Sequence, residues 1–152
     1  MQNPALGAAL IWRFVCGFTP NSSATGTPLP LAFIVLPIAL HTRTLERVTS
    51  TKSESGLRKL EEKFSAHGDL VLAIQSRMLA MRQLSLRSVR IGLWSGLMTL
   101  VPSEGVLWPR SRAAAPPGEK ATRELLKSAE KLGAWCRPLT LFEVSGILKV
   151  EF

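Results

Sequence analysis

The sequence predicts a mostly helical α+β fold with a winged helix–turn–helix-like arrangement: two short helices, a β-hairpin and a long C-terminal helix. Three observations predict it. Apolar residues recur at helical spacing over most of the chain, which is typical of amphipathic helices. Two short apolar runs flank Ser103-Glu104-Gly105, a turn sequence between strands. The 152 residues, 46% of them hydrophobic, provide a sizeable core for one compact domain.

We expect a single domain over residues 1–152. Its helical N-terminal part spans 1–67, the helix–turn–helix with its hairpin spans about 69–109, and the C-terminal helix and tail span about 119–152. Many α+β domains share this order of elements, so the order is stronger evidence for the fold than for a function.

The first predicted element is a helix from residue 4 to about residue 17, in "NPALGAALIWRFVCGF". Asn3 is a favourable N-cap, and Pro4 suits the first helical position because its missing N–H has no partner there. The next stretch, "TPNSSATGTP" at 19–28, is predicted to be a loop from its Pro, Gly, Ser and Asn content.

The most hydrophobic stretch is "LPLAFIVLPIALHTRT", residues 29–44. A helix needs about 20 apolar residues to cross a membrane, and this run is shorter and contains Pro30 and Pro37. A secretion signal is not expected, since no basic residue precedes Arg13. We predict a buried helix over 29–41, kinked or divided at Pro37.

A polar stretch then leads to a short helix predicted over 55–65, because Leu57, Leu60 and Phe64 form an apolar stripe. Gly68 is expected to end this region and Asp69 to act as the N-cap of the next helix.

Residues 69–94 are predicted to form two helices joined by a tight turn, because the apolar face changes register near 83–85. The hairpin follows, with apolar runs at 97–101 and 106–108 that end at Pro109.

The last long helix is predicted over about 119–136, with Leu125, Ala129, Leu132 and Cys136 on its apolar face. Its opposite face is basic, and Glu124 on that face is expected to form ordinary helix ion pairs. The remaining tail, "LTLFEVSGILKVEF", is expected to contain short helical and strand pieces.

The net charge of +8 favours nucleic acid or an acidic protein as a partner. No acidic residue lies between Leu70 and Ser103, and this segment carries four arginines: Arg77, Arg82, Arg87 and Arg90. If their second helix occupies the recognition position of a helix–turn–helix, these arginines contact double-stranded DNA, with Ser85 and Ser88 adding phosphate contacts. The alternatives are a solvated face or a docking face for an acidic protein.

Four tryptophans lie on or beside apolar faces: Trp12, Trp94, Trp108 and Trp135. Burial in the core or in an interface is expected for them rather than stacking on bases. Trp12 and Trp108 are the candidates for a partner interface, above all Trp108, which lies at the end of the hairpin before a proline.

Groups for catalysis are scarce in this chain. The only aspartate is Asp69, and the histidines are His41, expected to bind helix-terminal carbonyls, and His67, expected in an exposed turn. Cys16 and Cys136 are isolated, so we expect two buried thiols in a reducing cytoplasm. We find no metal-ligand spacing and no phosphate-binding loop for ATP, so the sequence predicts a non-enzymatic protein without a cofactor.

The chain resembles the middle component of bacterial three-component ABC systems. The matching pieces, in order, are "NPALGAALIWRFVCGF", "LPLAFIVLPIALHTRT", the arginine-containing helices through "IGLWSGLMTLVPSEGVLW", "KSAEKLGAWC" and "LTLFEVSGILKV". The resemblance implies two partners: an SMC-like ABC ATPase that senses or handles nucleic acid, and a protein that carries an effector. It also implies that such systems act in anti-phage or anti-plasmid defence, with the middle component as the link.

Two hypotheses therefore stand at the level of sequence. In the first, the protein is a non-catalytic adaptor between the ATPase and the effector. In the second, it is a stand-alone winged-helix DNA-binding protein or regulator, as the helix–helix–hairpin order and the acid-free arginine segment suggest. No membrane is required by either.

Overall fold

The computed structural model describes residues 3–66, 68–114 and 118–152. Helices dominate this part of the chain, and a small antiparallel sheet accompanies them. In chain order the elements are α1 (Pro4–Phe18), β1 (Thr27–Pro28), α2 (Ala32–Ala39), α3 (Thr42–Thr49), α4 (Gly56–Ser65), α5 (Gly68–Ala80), α6 (Arg82–Trp94), β2 (Met98–Val101), β3 (Val106–Pro109), α7 (Lys120–Cys136) and α8 (Leu141–Leu148).

Helix α1 is the centre of the fold and packs against α7, α6 and α2. Its start follows the sequence prediction: the side-chain oxygen of Asn3 accepts hydrogen bonds from the N–H groups of Ala5 (3.0 Å) and Leu6 (3.2 Å). The helix is apolar nearly all round, and Leu10, Ile11, Phe14 and Val15 are fully buried. A helix of this kind needs neighbours on every side, which explains its central place.

The predicted buried segment begins with a 3-10 turn at Leu29–Leu31 and continues as α2. Leu36 and its neighbours are buried, as predicted. The helix is not divided at Pro37; it continues for two more residues to Ala39. Among the described residues no single helix is long and apolar enough to cross a membrane. One pair of helical segments, Leu29–Ala39 and Thr42–Thr49, has the length and composition of a membrane span only when the two are taken together, and they are bent by 102° relative to each other.

Helix α3 lies in the polar stretch for which the sequence analysis predicted no helix or strand. Thr44 and Val48 are its buried residues. The hydroxyl of Thr44 donates to the carbonyl of Ile38 at 2.7 Å, so α3 caps the end of α2. His41 is the N-cap residue of α3 and makes no side-chain capping bond. Its Nδ1 is buried without a hydrogen-bond partner, so this nitrogen does not make the expected bond to helix-terminal carbonyls.

Helix α4 lies where it was predicted, with Leu57, Leu60 and Phe64 buried. The predicted exposed position of His67 lies outside the described residues. Asp69 is not the N-cap of α5 but a residue of its first turn, where it pairs with Arg43 at 3.6 Å.

Two helices joined by a tight turn, α5 and α6, follow as predicted. The break is at Met81, slightly earlier than the change of register suggested. Helix α6 ends in a Schellman motif: Gly96 has φ 77°, and the N–H of Leu97 donates to the carbonyl of Gly92 at 3.0 Å. Gly96 thereby turns the chain from α6 into β2.

The predicted hairpin is confirmed as β2 and β3, which pair from Met98 with Pro109 to Val101 with Val106. A third strand, β1, was predicted as loop; it pairs antiparallel with β3, so the strand order is β1-β3-β2. The observed fold is thus mostly helical with a small three-stranded antiparallel sheet, which agrees with the predicted α+β class at that level.

The two C-terminal helices complete the core. Helix α7 has the predicted bounds within one residue, and Ala129, Leu132 and Cys136 are buried on its apolar face. Lys120 and Glu124 form the expected ion pair at 4.0 Å. The helical piece predicted in the tail is α8, which begins with a capping box formed by Thr140 and Glu143.

Candidate protein and nucleic-acid interface

The outward side of α6 is the candidate binding surface. It carries Arg82, Leu86, Arg87, Arg90 and Trp94, all of them exposed, and we call these five residues the arginine face. The exposed fraction is 74% for Trp94 and 43% for Leu86, which are large apolar side chains. Arg82, Leu86, Arg90 and Trp94 follow one another at four-residue spacing, so they form a row along one side of the helix.

The inward side of α6 fixes this face in place. Ser85 and Ser88 are fully buried, so the predicted phosphate contacts of these serines are wrong. They are buried because α6 lies against α1: a Cβ added at Gly7 would be only 2.1 Å from the Oγ of Ser88. Small side chains thus allow the two helices to approach closely, and the arginine face points to solvent on a rigid support.

One contact orders the end of the arginine face. The guanidinium carbon of Arg90 lies 4.3 Å from the centre of the Trp94 ring. A cation over an indole ring at an exposed position contributes roughly 0.5–1 kcal/mol. The ion pairs among the described residues involve none of Arg82, Arg87 and Arg90.

Arg77, the first of the four predicted arginines, is not part of this face. It is half-buried, and its Nε donates to the carbonyl of Pro37 at 3.1 Å. Burial lowers the pKa of Arg77. The Nε–H group therefore binds one of the last carbonyls of α2, whereas Nη2 of the same side chain is buried without a hydrogen-bond partner.

Two of the four tryptophans, Trp12 and Trp135, are buried, as expected, whereas Trp94 is exposed. Trp12 is buried, and its indole N–H donates to the carbonyl of Ser111 at 2.8 Å, so this side chain belongs to the core. Trp108 is half-buried in β3, where its ring lies against Gly26. Trp94 was not among the tryptophans predicted to contact a partner. Its position four residues after Arg90, on the same side of the same helix, is the sequence signal that points to it.

An apolar groove adjoins the start of the arginine face. It has a volume of about 320 Å³, and Arg82 stands beside it. The other lining residues come from the 3-10 turn, from the end of α5 and from the C-terminus: Leu29, Pro30, Phe33, Met78, Leu79, Glu151 and Phe152.

A larger cavity of about 630 Å³ lies between α1, α3 and α7, and it is lined by side chains of both charges. Lys131 donates there to the carbonyl of Thr51 at 2.8 Å, and burial lowers the pKa of this lysine. Glu130 pairs with Arg13. Lys131 and Glu130 in this cavity are therefore already bonded within the chain.

The residue types that usually perform catalysis have structural surroundings. Cys16 and Cys136 are buried, as predicted, and burial raises the pKa of both thiols, that of Cys136 to about 12. Burial, followed by the nearby Arg77 and Arg43, lowers the pKa of His41. In residues 3–66, 68–114 and 118–152, no group of three or more His, Cys, Asp or Glu side chains is suited to hold a metal ion.

Together these features define a small, basic, mostly helical protein whose main exposed feature is a helix face of arginines, leucine and tryptophan. The chain matches, over residues 1–152, the family described as ABC-three component (ABC-3C) system Middle Component 3. It belongs to this family and is therefore a middle component of an ABC-three component system, as the resemblance implied. No curated protein and no solved structure gave a significant match.

Proposed function

We propose that the protein is a non-catalytic adaptor that links an SMC-like ABC ATPase to an effector protein in a bacterial anti-phage or anti-plasmid defence complex. The family match over the whole chain carries this proposal, since a middle component belongs to a system of several proteins. In this role the protein acts in the cytoplasm, without a cofactor and away from the membrane.

The surroundings of the polar residues support a role without catalysis. Asp69 is paired with Arg43, and both thiols are buried with raised pKa values. A nucleophile needs an accessible, activated group and a base within hydrogen-bond reach. The two thiols are not accessible, and the carboxylate of Asp69, although exposed, is paired with a guanidinium rather than with a base.

An adaptor between two proteins needs two separate surfaces, and the chain offers two on different helices. The arginine face of α6 is the first. The second is the start of α8, where Phe142 is 87% exposed. An exposed aromatic side chain of this size is typical of an interface anchor that is buried only in a complex.

Co-expression with the ABC ATPase and the effector of the same system tests the adaptor role directly. The ATPase and the effector are expected to elute together in size-exclusion chromatography after nuclease treatment only when this chain is present. A Phe142→Ser variant is expected to lose one of the two partners and to keep the other. If the chain elutes alone at micromolar concentration beside both proteins, the proposal is wrong.

A second candidate function is a stand-alone winged-helix DNA-binding protein. Arg82, Arg87 and Arg90 favour it, because they are exposed on the helix before the hairpin and take part in no ion pair among the described residues. It predicts binding to a duplex of about 20 base pairs that weakens steeply between about 50 and 200 mM salt. Arg87→Ala combined with Arg90→Ala is expected to abolish this binding, whereas Lys120→Ala combined with Lys127→Ala on α7 is the matched control. Weak binding that does not depend on salt would count against this function.

A further inference from the structure

We propose that the arginine face of α6 docks an acidic amphipathic helix of a protein partner. This inference rests on the proposed function, because it names the chemistry of one of the adaptor's two partners. It concerns one side of one helix, and the order and surroundings of the side chains on that side carry it.

Apolar and cationic side chains alternate on the face. The row runs Arg82, Leu86, Arg90, Trp94, with one helical turn between successive members. A partner helix laid along this row meets an apolar residue and an arginine in turn. Leucine or another aliphatic residue at helical spacing would cover Leu86 and Trp94, and carboxylates between them would face Arg82 and Arg90.

Charge complementarity selects an acidic partner. Among the described residues no carboxylate forms an ion pair with Arg82, Arg87 or Arg90. Glu151 lines the groove that Arg82 also lines, but it is not paired with that arginine. Arginine pairs with carboxylates in a planar, bidentate geometry, so it gives direction as well as attraction. Tryptophan and arginine are also the residues that dominate binding energy in protein interfaces.

The face is preorganised for such a partner. Helix α6 packs against α1, where the buried Ser88 lies beside Gly7, and it ends in the Schellman turn at Gly96. Arg90 is already held over the Trp94 ring. The backbone of the helix and the Arg90 side chain therefore lose little conformational entropy on binding, which favours affinity.

The apolar residues distinguish this partner from nucleic acid. Phosphate contacts would use the arginines but would leave Leu86 exposed, and an apolar side chain contributes to binding only when another apolar surface covers it. Of the two classes of macromolecule, a protein helix therefore uses more of the face than a phosphate backbone does.

Site-specific photo-crosslinking in the assembled three-protein complex tests this inference. Trp94 is replaced by p-benzoyl-phenylalanine, and Lys120, an exposed residue on α7, is replaced in the control. The cross-linked peptide is identified by mass spectrometry after nuclease treatment. We expect position 94 to capture a segment of the ATPase or the effector that has acidic residues between apolar residues at helical spacing, and we expect position 120 not to capture it.

Charge reversal then checks the role of the arginines. Arg82→Glu, Arg87→Glu and Arg90→Glu together are expected to weaken the binding of that partner by roughly 30-fold or more, and the opposite reversal of the captured acidic residues is expected to restore it. Lys120→Glu, Arg123→Glu and Lys127→Glu together form the control with the same change in net charge.

The outcomes separate this inference from the proposed function. Failure of all three proteins to assemble would overturn both. Assembly that is unaffected by reversal on α6, capture of nucleic acid at position 94, or capture of a segment without acidic residues would overturn the inference alone.

Discussion

Gly133 of α7 lies directly against the carbonyl oxygen of Phe14 in α1, at a distance of 2.1 Å from where a Cβ would stand. The contact is reciprocal, because a Cβ on Gly17 of α1 would lie 2.0 Å from the carbonyl oxygen of Glu130 in α7. Two glycines thus allow the two central helices to touch backbone to backbone. The rest of the core, including the support of α6, is built around this crossing.

A methyl group at the crossing is therefore expected to push the two helices apart. Gly133→Ala should lower the free energy of unfolding by about 1–3 kcal/mol, as overpacking does. The measurement is urea denaturation followed by circular dichroism. Gly146→Ala is the matched control: this glycine of α8 is exposed, nothing lies within 4 Å of its added Cβ, and alanine should raise stability by about 0.5–1 kcal/mol. Equal effects of the two substitutions would contradict the close approach.

Replacement of Arg77 and of Arg82 by alanine is expected to change the free energy of unfolding by different amounts, although the two arginines are only five residues apart. Arg77→Ala removes the donor to the Pro37 carbonyl and should cost about 1–2 kcal/mol. Arg82→Ala removes an exposed side chain and should stay within about 0.5 kcal/mol of the unchanged protein. Thermal or urea unfolding of both variants measures this difference. A neutral Arg77→Ala would show that the carbonyl finds water instead.

Both thiols are expected to resist reagents in the folded state. Burial raises the pKa of Cys16, and that of Cys136 to about 12, so thiolate is scarce at pH 8 and the sulfur atoms are shielded. Reaction with Ellman's reagent should be slow in buffer and complete in denaturant, with Cys136 the slower of the two. The Cys16→Ser and Cys136→Ser variants show which kinetic phase of the reaction belongs to which thiol. Rapid modification of Cys136 in buffer would mean that α7 opens readily.

His41 is expected to weaken the fold in mild acid. Burial and the positive charges of Arg77 and Arg43 hold its pKa below the ordinary value near 6.5, so the unfolded chain takes up a proton first as the pH falls. Stability linked to this group is complete above about pH 6.5 and is lost as the pH falls below it. Melting temperatures at pH 7.5 and 5.5 should differ less for His41→Asn than for the unchanged protein. The same difference in both would assign the acid effect to other groups.

The sequence predicted the elements that are determined by residues close together in the chain. The Asn3 cap with Pro4, the stripe of Leu57, Leu60 and Phe64, and the turn before Gly105 each act within a few residues. The third strand, β1, could not be predicted in this way, because it has only two residues, one of them Pro28, and exists through its pairing with β3. Helix α3 was missed although its residues are strongly amphipathic at the helical period. One of its two buried residues, Thr44, is polar, so apolar spacing alone does not reveal the helix.

In the candidate site, too, some features follow from the local sequence and others depend on residues far away in the chain. The sequence by itself determined the family, the helical character and the acid-free segment that holds four arginines. Only the tertiary structure decided which arginines are free, because the carbonyl that binds Arg77 lies 40 residues away, at Pro37. It likewise placed Trp12 inside, through a bond to Ser111 that spans 99 residues, and left Trp94 outside. Periodicity fixes how side chains are arranged around their own helix, whereas exposure depends on which distant neighbour covers each side of that helix.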